Sequence, residues 1–129
     1  MIPKFRAWHN ELGRMMSISD MWFNVDSLGE IGLNDTIMND YITVSPDEIE
    51  LMQSTGLKDK NGKEIFEGDI LKSNKYITSV FYERGAYCVK FYWTTNTTVT
   101  MNVISFIEKY KTKVIGNIYE NPELLEVEE

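Results

Sequence analysis

Four carboxylates lie in a short stretch near the middle of the chain. They are Asp59, Glu64, Glu67 and Asp69. Carboxylates that converge in space can hold a divalent metal ion or act as a general acid and base. Aspartate beside glycine or asparagine is also common in turns, where its carboxylate accepts backbone N–H groups. We interpret the four acids as turn and surface residues, and metal-assisted hydrolysis is the enzymatic alternative.

A calcium-binding loop is one specific form that this acidic stretch could take. An EF-hand loop has a glycine at its sixth position and a bidentate glutamate at its last. With Gly62 as the loop glycine, the first ligand position falls on Leu57 and the bidentate position on Gly68. The sequence therefore excludes an EF-hand, and we predict no metal site.

His9 is the only histidine of the chain and Cys88 is its only cysteine. One histidine does not make a multi-histidine zinc site, and one cysteine cannot form an internal disulfide. The sequence also contains no phosphate loop, no dinucleotide fingerprint and no serine-nucleophile elbow. We therefore predict no catalytic residue and no bound cofactor. Cys88 is interpreted as a packed strand residue and His9 as a surface or packed residue.

Turn residues predict the elements around the central acids. Asn61-Gly62 favours a two-residue type I′ hairpin turn, because both positions of that turn need a positive φ. The segment Glu64 to Leu71 then has an apolar pair on either side of Gly68-Asp69, which predicts strand, bend and strand. At the bend, Gly68 can adopt a conformation closed to other residues and Asp69 can accept backbone N–H groups.

The segment Thr55 to Ile70 closely resembles the central motif of the YopX family, found in bacteriophages and prophages of Gram-positive bacteria. Lys4 to Trp8 resembles the family's opening strand, and Val114 to Leu125 resembles its closing block. The hallmark residues that we take from this resemblance are Thr55, Gly56, Asp59, Asn61, Gly62, Gly68, Asp69, Gly116 and Asn117. The resemblance spans nearly the whole chain. It implies a small mixed fold with an SH3-like β-barrel in its second half and no established biochemical activity.

A chain of 129 residues is long enough for one good hydrophobic core. We predict one compact unit of mainly β structure (α+β). It consists of an acidic N-terminal β-hairpin or meander region over residues 1–54 and an SH3-like barrel with a short C-terminal helix over residues 55–129. No apolar run approaches the roughly 18 residues of a membrane-spanning helix, and Met1 to Arg6 lacks a secretory signal. These features predict a cytoplasmic protein of the host bacterial cell, without a membrane partner.

The net charge of −7 is unevenly distributed along the chain. Met15 to Leu57 holds eight acids and no Lys or Arg, whereas Lys58 to Lys113 holds ten Lys or Arg against six acids. Five acids and no base follow from Val114 onward. Ordinary solvated surface explains this distribution, and the alternative is attraction between the acidic half of one subunit and the basic half of another.

In the first half of the chain, Lys4 to Trp8 and Arg14 to Ile18 predict an antiparallel hairpin. A short strand with loops is expected from Asn24 to Asp40, and another strand from Thr36 to Val44. Ser45-Pro46 has the residues of a helix start, with Ser45 as the cap. We predict a single turn there, followed by a strand to about Gln53, with a longer helix as the alternative.

In the second half, a hairpin is predicted about a turn at Arg84-Gly85. Val80 then faces Val89 and Tyr82 faces Tyr87. A strand over Val99 to Ile104, one helical turn over Ser105 to Tyr110 and a strand over Val114 to Ile118 follow. The chain should end in a short helix capped by Asn121 and an acidic tail.

Small barrels can bind single-stranded nucleic acid by combining exposed aromatic rings with Lys and Arg. The candidate interaction residues for such a surface are Phe81, Arg84, Lys90 and Tyr92. A sequence pI of about 4.7 argues against nucleic acid unless the basic residues form a separate patch. We therefore favour a non-enzymatic phage accessory protein that self-associates and binds a phage or host protein.

Overall fold

The computed structural model describes residues 4–35 and 37–125. Within them the chain forms eleven strands, one α-helix and two 3-10 turns. The strands are β1 Phe5–His9, β2 Arg14–Phe23, β3 Leu28–Asp35, β4 Asp40–Val44, β5 Ile49–Lys58, β6 Glu64–Phe66, β7 Asp69–Lys72, β8 Ile77–Glu83, β9 Ala86–Tyr92, β10 Thr98–Asn102 and β11 Lys113–Asn117. Helix α1 spans Val103–Lys109, and the 3-10 turns span Pro46–Glu48 and Pro122–Leu125. The predicted strand start at Thr36 and the acidic tail after Leu125 lie outside the described residues.

The chain divides into two compact units, Met1–Gln53 and Ser54–Glu129. In the first unit, β4, β3, β2, β1 and the start of β5 are neighbours in one antiparallel sheet. The predicted β1–β2 hairpin is confirmed, with Ala7 opposite Met16. β2 runs on to Phe23, well beyond the predicted end at Ile18, because a register shift after Ile18 lets its pairing with β3 continue.

One face of this sheet carries the core of the first unit. Its buried residues are Ala7, Met16, Ile31, Leu33, Val44 and Ile49. The predicted single turn at Ser45 is also confirmed, since the Ser45 N–H donates to Glu48 Oε2 at 2.7 Å in a capping box. β5 follows directly and continues to Lys58, five residues past the predicted end at Gln53.

In the second unit, the five strands β10, β9, β8, β7 and β11 form an antiparallel sheet in that order. The predicted β8–β9 register is confirmed, with Val80 opposite Val89 and Tyr82 opposite Tyr87. Helix α1 begins at Val103, two residues before its predicted start, and contributes to the core of this unit. The buried residues of that core are Ile65, Leu71, Val80, Val89, Phe91, Val103 and Phe106.

The turn at Asn61-Gly62 exists, but its predicted type is wrong. Gly62 has a φ of +82° whereas Asn61 is not in the positive-φ region, so the turn is not type I′. The Gly62 N–H donates to the Asp59 carbonyl at 3.0 Å, and the Asp59 N–H donates to the Lys63 carbonyl at 2.8 Å. This is a type I turn followed by a left-handed glycine, the usual three-residue hairpin loop.

A turn with two positive φ angles does occur, at Arg84-Gly85. Arg84 has a φ of +52° and Gly85 a φ of +83°, as a type I′ turn requires. The strands of the described residues pair into two antiparallel sheets, of six and five strands, and form no closed barrel. The predicted SH3-like barrel therefore stays a prediction.

Candidate functional site

Asp59 is the hallmark carboxylate with the most hydrogen bonds in the central turn. Its Oδ1 accepts the N–H groups of Asn61 at 2.9 Å and Lys63 at 2.8 Å, and its Oδ2 accepts that of Val114 at 2.9 Å. Burial raises the pKa of Asp59, but these three donors and the nearby charge of Lys63 outweigh it, so the pKa lies below its usual value. Asp59 therefore fastens the turn to β11, which is a structural role.

Gly68 and Asp69 form the bend that was expected between β6 and β7. Gly68 has a φ of +88°, and its N–H donates to the Val80 carbonyl at 2.8 Å. Asp69 is only 1% exposed, and its Oδ2 accepts the Phe66 N–H at 2.8 Å. Glu64 accepts a hydrogen bond from the Ser54 hydroxyl. Asp59 and Asp69 thus bind the backbone at turns, whereas Glu64 binds a side chain.

Thr55 and Gly56 shape the second half of β5. The Thr55 hydroxyl donates to the Ile65 carbonyl at 2.7 Å and accepts the Leu57 N–H at 3.1 Å. Gly56 has a φ of +78°, so a side chain there would be strained. The two residues account for the irregular pairing between β5 and β6.

Gly116 and Asn117 end β11. Asn117 Oδ1 accepts the N–H groups of Tyr119 at 3.0 Å and Glu120 at 2.9 Å. A Cβ on Gly116 would overlap the side chain of Asn121, whose Oδ1 accepts the Asn117 N–H at 3.3 Å. Asn121, predicted as a helix cap, thus also stabilises the turn before the 3-10 turn at Pro122–Leu125.

Residues 4–35 and 37–125 contain no group of three His, Cys, Asp or Glu side chains placed to hold a metal ion. His9 is buried, and its Nδ1 accepts the Leu12 N–H at 3.0 Å, which closes the β1–β2 hairpin. Cys88 is buried in β9. Each of these side chains has a packing or turn role in the described fold.

Three of the four candidate interaction residues come together in space. Phe81, Lys90 and Tyr92 line a cavity of about 690 Å³ on the β8–β9 hairpin, and Leu124 of the last 3-10 turn also lines it. Arg84 lies in the tight turn at the end of the hairpin and does not line this cavity. The surface is therefore a mixed apolar and basic one, with Lys90 and Lys75 as its cations.

A second cavity, of about 630 Å³, is lined by six lysines, and no carboxylate of residues 4–35 or 37–125 lines it. We call it the lysine cleft, and its lysines are Lys60, Lys72, Lys75, Lys109, Lys111 and Lys113. In the described part of the chain none of these six ammonium groups forms an ion pair. Six of the thirteen Lys and Arg residues thus surround one concavity in a protein of net charge −7.

Backbone pairing brings three of these lysines, Lys60, Lys72 and Lys113, together. Lys72 of β7 lies directly opposite Lys113 of β11. The Lys60 N–H donates to the Thr112 carbonyl at 3.0 Å, so the central turn is held beside β11. Like charges directly opposite in an antiparallel pair are destabilising, so Lys72 and Lys113 repel each other across the ladder.

The other lysines adjoin an exposed aromatic ring. Lys75 follows β7, Lys109 ends α1 and Lys111 precedes β11. The ammonium groups of Lys75 and Lys109 lie 5.9 Å and 6.0 Å from the ring centre of Trp93. Trp93 is 54% exposed, so a cation–π contact and an open aromatic surface border the cleft.

The sequence analysis did not single out the lysine cleft. Its signals were the spacing Lys109, Lys111, Lys113, which alternates as one face of an extended chain does, and the basic excess between Lys58 and Lys113. The missing information was the pairing of β7 with β11, which joins segments about forty residues apart.

Comparison with known proteins decides the family. The model of the family described as YopX protein matches residues 4–126. The chain belongs to the YopX family. No curated protein matches this YopX chain. The crystal structure of protein EF1440 from Enterococcus faecalis is similar to it, with 32% identity and a TM-score of 0.67. That likeness covers 98% of this chain and 99% of the other.

No helix in the described ranges combines the length and the apolar character needed to cross a membrane.

Proposed function

We propose that this YopX protein is a non-enzymatic binding module that holds a polyanion in the lysine cleft. The observation that carries the proposal is the convergence of six lysines on one cavity without a lining carboxylate. Ammonium groups that share a concave site create a positive potential, and an anionic ligand with several charges neutralises it. The chain as a whole has a net negative charge, so the lysine cleft is opposite in sign to the rest of the protein. This difference directs an anionic ligand to the cleft.

The cross-strand pair Lys72 and Lys113 supports the same proposal. Two like charges facing each other across a ladder reduce stability, and a bound anion removes that repulsion. Lysine suits this task because its ammonium group is a compact charge on a flexible stem, which adapts to irregularly spaced phosphates.

The test is a binding titration with inorganic polyphosphate at low and moderate salt. We expect binding to the wild-type protein that weakens steeply with salt, because it depends on ion pairing. The double variant Lys72→Gln/Lys113→Gln should lose at least tenfold in affinity.

The matched control is Lys58→Gln/Lys63→Gln, which removes the same charge from two exposed lysines outside the cleft. It should bind almost as the wild type does. Equal losses in both double variants would show that only net charge matters. Absence of binding at low salt would overturn the proposal.

Self-association, together with binding of a phage or host protein, is the second candidate function. The specific observation is a set of large apolar side chains exposed in the acidic first unit. They include Trp22, Phe23, Val25, Ile37, Met38 and Tyr41. An acidic surface of one copy would be attracted to the lysine cleft of another, so the proposed partner for this face is a second copy of the chain.

Light scattering at high protein concentration tests this candidate. Charge-driven association should be stronger at low salt and should be displaced by polyphosphate. A protein that stays monomeric at both low and moderate salt would not be self-associating. The variant Phe23→Ser/Ile37→Ser, with both changes at exposed positions, separates an apolar contribution from the ionic one.

Two further proposals rest on the family alone. We propose that the protein serves a phage or prophage in the cytoplasm of the host, and that its second unit is a distorted SH3-like barrel. The order of β7, β8 and β9 in one antiparallel sheet supports the barrel. Metal-assisted hydrolysis by the central acids has less support, because the carboxylates of Asp59 and Asp69 accept backbone N–H groups.

A further inference from the structure

The lysine cleft continues into an aromatic surface, and we infer that the two together bind single-stranded nucleic acid. The phosphates lie in the cleft and the bases stack beside it. This inference rests on the proposed polyanion-binding function and adds the class of ligand.

Shared lining residues connect three cavities of the second unit. Lys75 lines both the lysine cleft and the cavity on the β8–β9 hairpin. Tyr92 lines that hairpin cavity and a third, smaller one of about 450 Å³, which Trp93 also lines. The three cavities therefore adjoin one another, and we call them together the track; its lysines and its aromatic rings lie side by side, since Trp93 contacts Lys75 and Lys109 of the cleft.

The aromatic residues of this track are open to solvent. Tyr92 is 63% exposed and Trp93 is 54% exposed, although both are large enough to be buried at a gain in stability. Exposed rings beside cations are the combination that single-strand-binding proteins use, since every base offers a face for stacking.

Single strands fit this track better than the other polyanions. A duplex keeps its bases stacked inside, so the faces of Tyr92 and Trp93 would have nothing to stack on. An acidic protein segment could neutralise the lysines, but its carboxylates would gain nothing from exposed aromatic rings. Polyphosphate likewise uses only the lysines.

The acidity of the whole chain does not prevent this binding. The low sequence pI argued against nucleic acid unless the basic residues formed a separate patch. The lysine cleft is such a patch. Lys90 extends it along the track, beside Phe81 and Tyr92. Added salt screens the attraction by the lysines as well as the repulsion by the remaining acids, so binding is measured at both low and moderate salt.

The experiment compares three labelled ligands of equal length by fluorescence anisotropy. They are oligothymidine, an abasic chain with the same phosphates, and a duplex. We expect oligothymidine to bind about tenfold or more tightly than the abasic chain, because stacking adds to phosphate contacts. If all six lysines engage phosphates, the logarithm of the affinity should fall with the logarithm of salt at a slope of about −4.

Variants assign the stacking to the track. Tyr92→Ala/Trp93→Ala should bind oligothymidine only as well as the abasic chain. Tyr92→Ala, which leaves the contacts of Trp93 with Lys75 and Lys109 in place, should leave polyphosphate binding nearly unchanged. Trp22→Ala is the control, because Trp22 is 47% exposed and belongs to the first unit. If the double variant does not fold, Tyr92→Ala alone carries the test, with Lys90→Glu as the charge variant.

Each outcome separates the two proposals. Equal affinity for oligothymidine and the abasic chain would overturn the nucleic-acid inference and leave the polyanion site standing. Tighter binding of the duplex than of oligothymidine would overturn it in favour of double-stranded nucleic acid. No binding of any of these ligands at low salt would overturn both.

Discussion

The hallmark residues of the central stretch act mainly through backbone geometry. Asp59 accepts two N–H groups of its own turn and the Val114 N–H of β11, and Gly68 holds a φ of +88°. Ser54 donates its hydroxyl to Glu64. Apart from the bond to Val114, these contacts are local, which explains why turn residues alone predicted so much of the stretch.

Asp59→Asn should lower the free energy of unfolding at neutral pH by about 1–3 kcal/mol, because the amide replaces an acceptor of three N–H groups. The pKa of Asp59 is lowered in the fold, so its stabilisation is present above the unfolded pKa of about 4 and is lost as the pH falls through the folded value. The difference between wild type and variant should therefore shrink in urea unfolding between about pH 5 and pH 2.

Asp26→Asn is the control for that experiment, since Asp26 is an exposed loop residue. It should change neither the stability at pH 7 nor its pH dependence. A loss in Asp59→Asn that is equally large at pH 7 and pH 2 would mean that the amide disturbs packing, and that the ionised carboxylate is not responsible.

Gly68→Val should lower stability by more than about 1 kcal/mol, because valine is strained at a φ of +88°. Gly68→Ala adds only a methyl group, so it measures the cost of a positive φ without a bulky side chain. Both variants should lose stability in thermal unfolding. If the alanine variant is neutral and the valine variant is not, bulk at a buried position is the cause and the φ argument is wrong.

At the scale of elements, local pattern predicted the hairpins best. The Arg84-Gly85 turn and the strands on either side of it gave the β8–β9 pairs residue by residue. The Asn61-Gly62 pattern was equally strong but gave the wrong turn type, because the Asp59 carboxylate favours a type I turn in the preceding residues. A prediction based only on the two central turn residues takes no account of a side-chain acceptor at a neighbouring position.

The lysine cleft lay beyond prediction for a different reason. Its lysines come from the central turn, from β7 and from the chain around β11, and only the β7–β11 pairing brings them together. Pairing between distant strands depends on the whole sheet, whereas hydrophobic alternation shows only which face a residue takes. Lys90 and Tyr92 lie on one hairpin, so local pattern was enough to predict that they are close together. The lysine cleft could not be predicted in this way.

Lys113→Gln should raise stability slightly, by about 0.2–1 kcal/mol at low salt, because it removes the repulsion with Lys72. Added polyphosphate should stabilise the wild type more than the variant, since binding to the folded state shifts unfolding by mass action. Thermal unfolding with and without the ligand measures both effects. Lys58→Gln, outside the cleft, should show neither, and a destabilised Lys113→Gln would contradict the repulsion argument.

At the scale of the whole molecule, β5 is the element that both compact units share. Ile49 to Gln53 pair with β1, and Ser54 and Lys58 pair with β6. The units each have their own core, but melting either one removes a pairing partner from the same strand. We therefore expect the two units to unfold together, in keeping with the predicted single compact unit.

Native-state hydrogen exchange at low denaturant measures this cooperativity directly. The slowest amides of β1 to β3 and of β7 to β9 should exchange with one common free energy, because both require the same global unfolding. Gln53→Pro removes a backbone N–H from the part of β5 that pairs with β1. It should lower the exchange free energies of both sets of amides together. Two separate values, with the change falling between Gln53 and Ser54, would show that β5 transmits no cooperativity and that each unit is stable by itself.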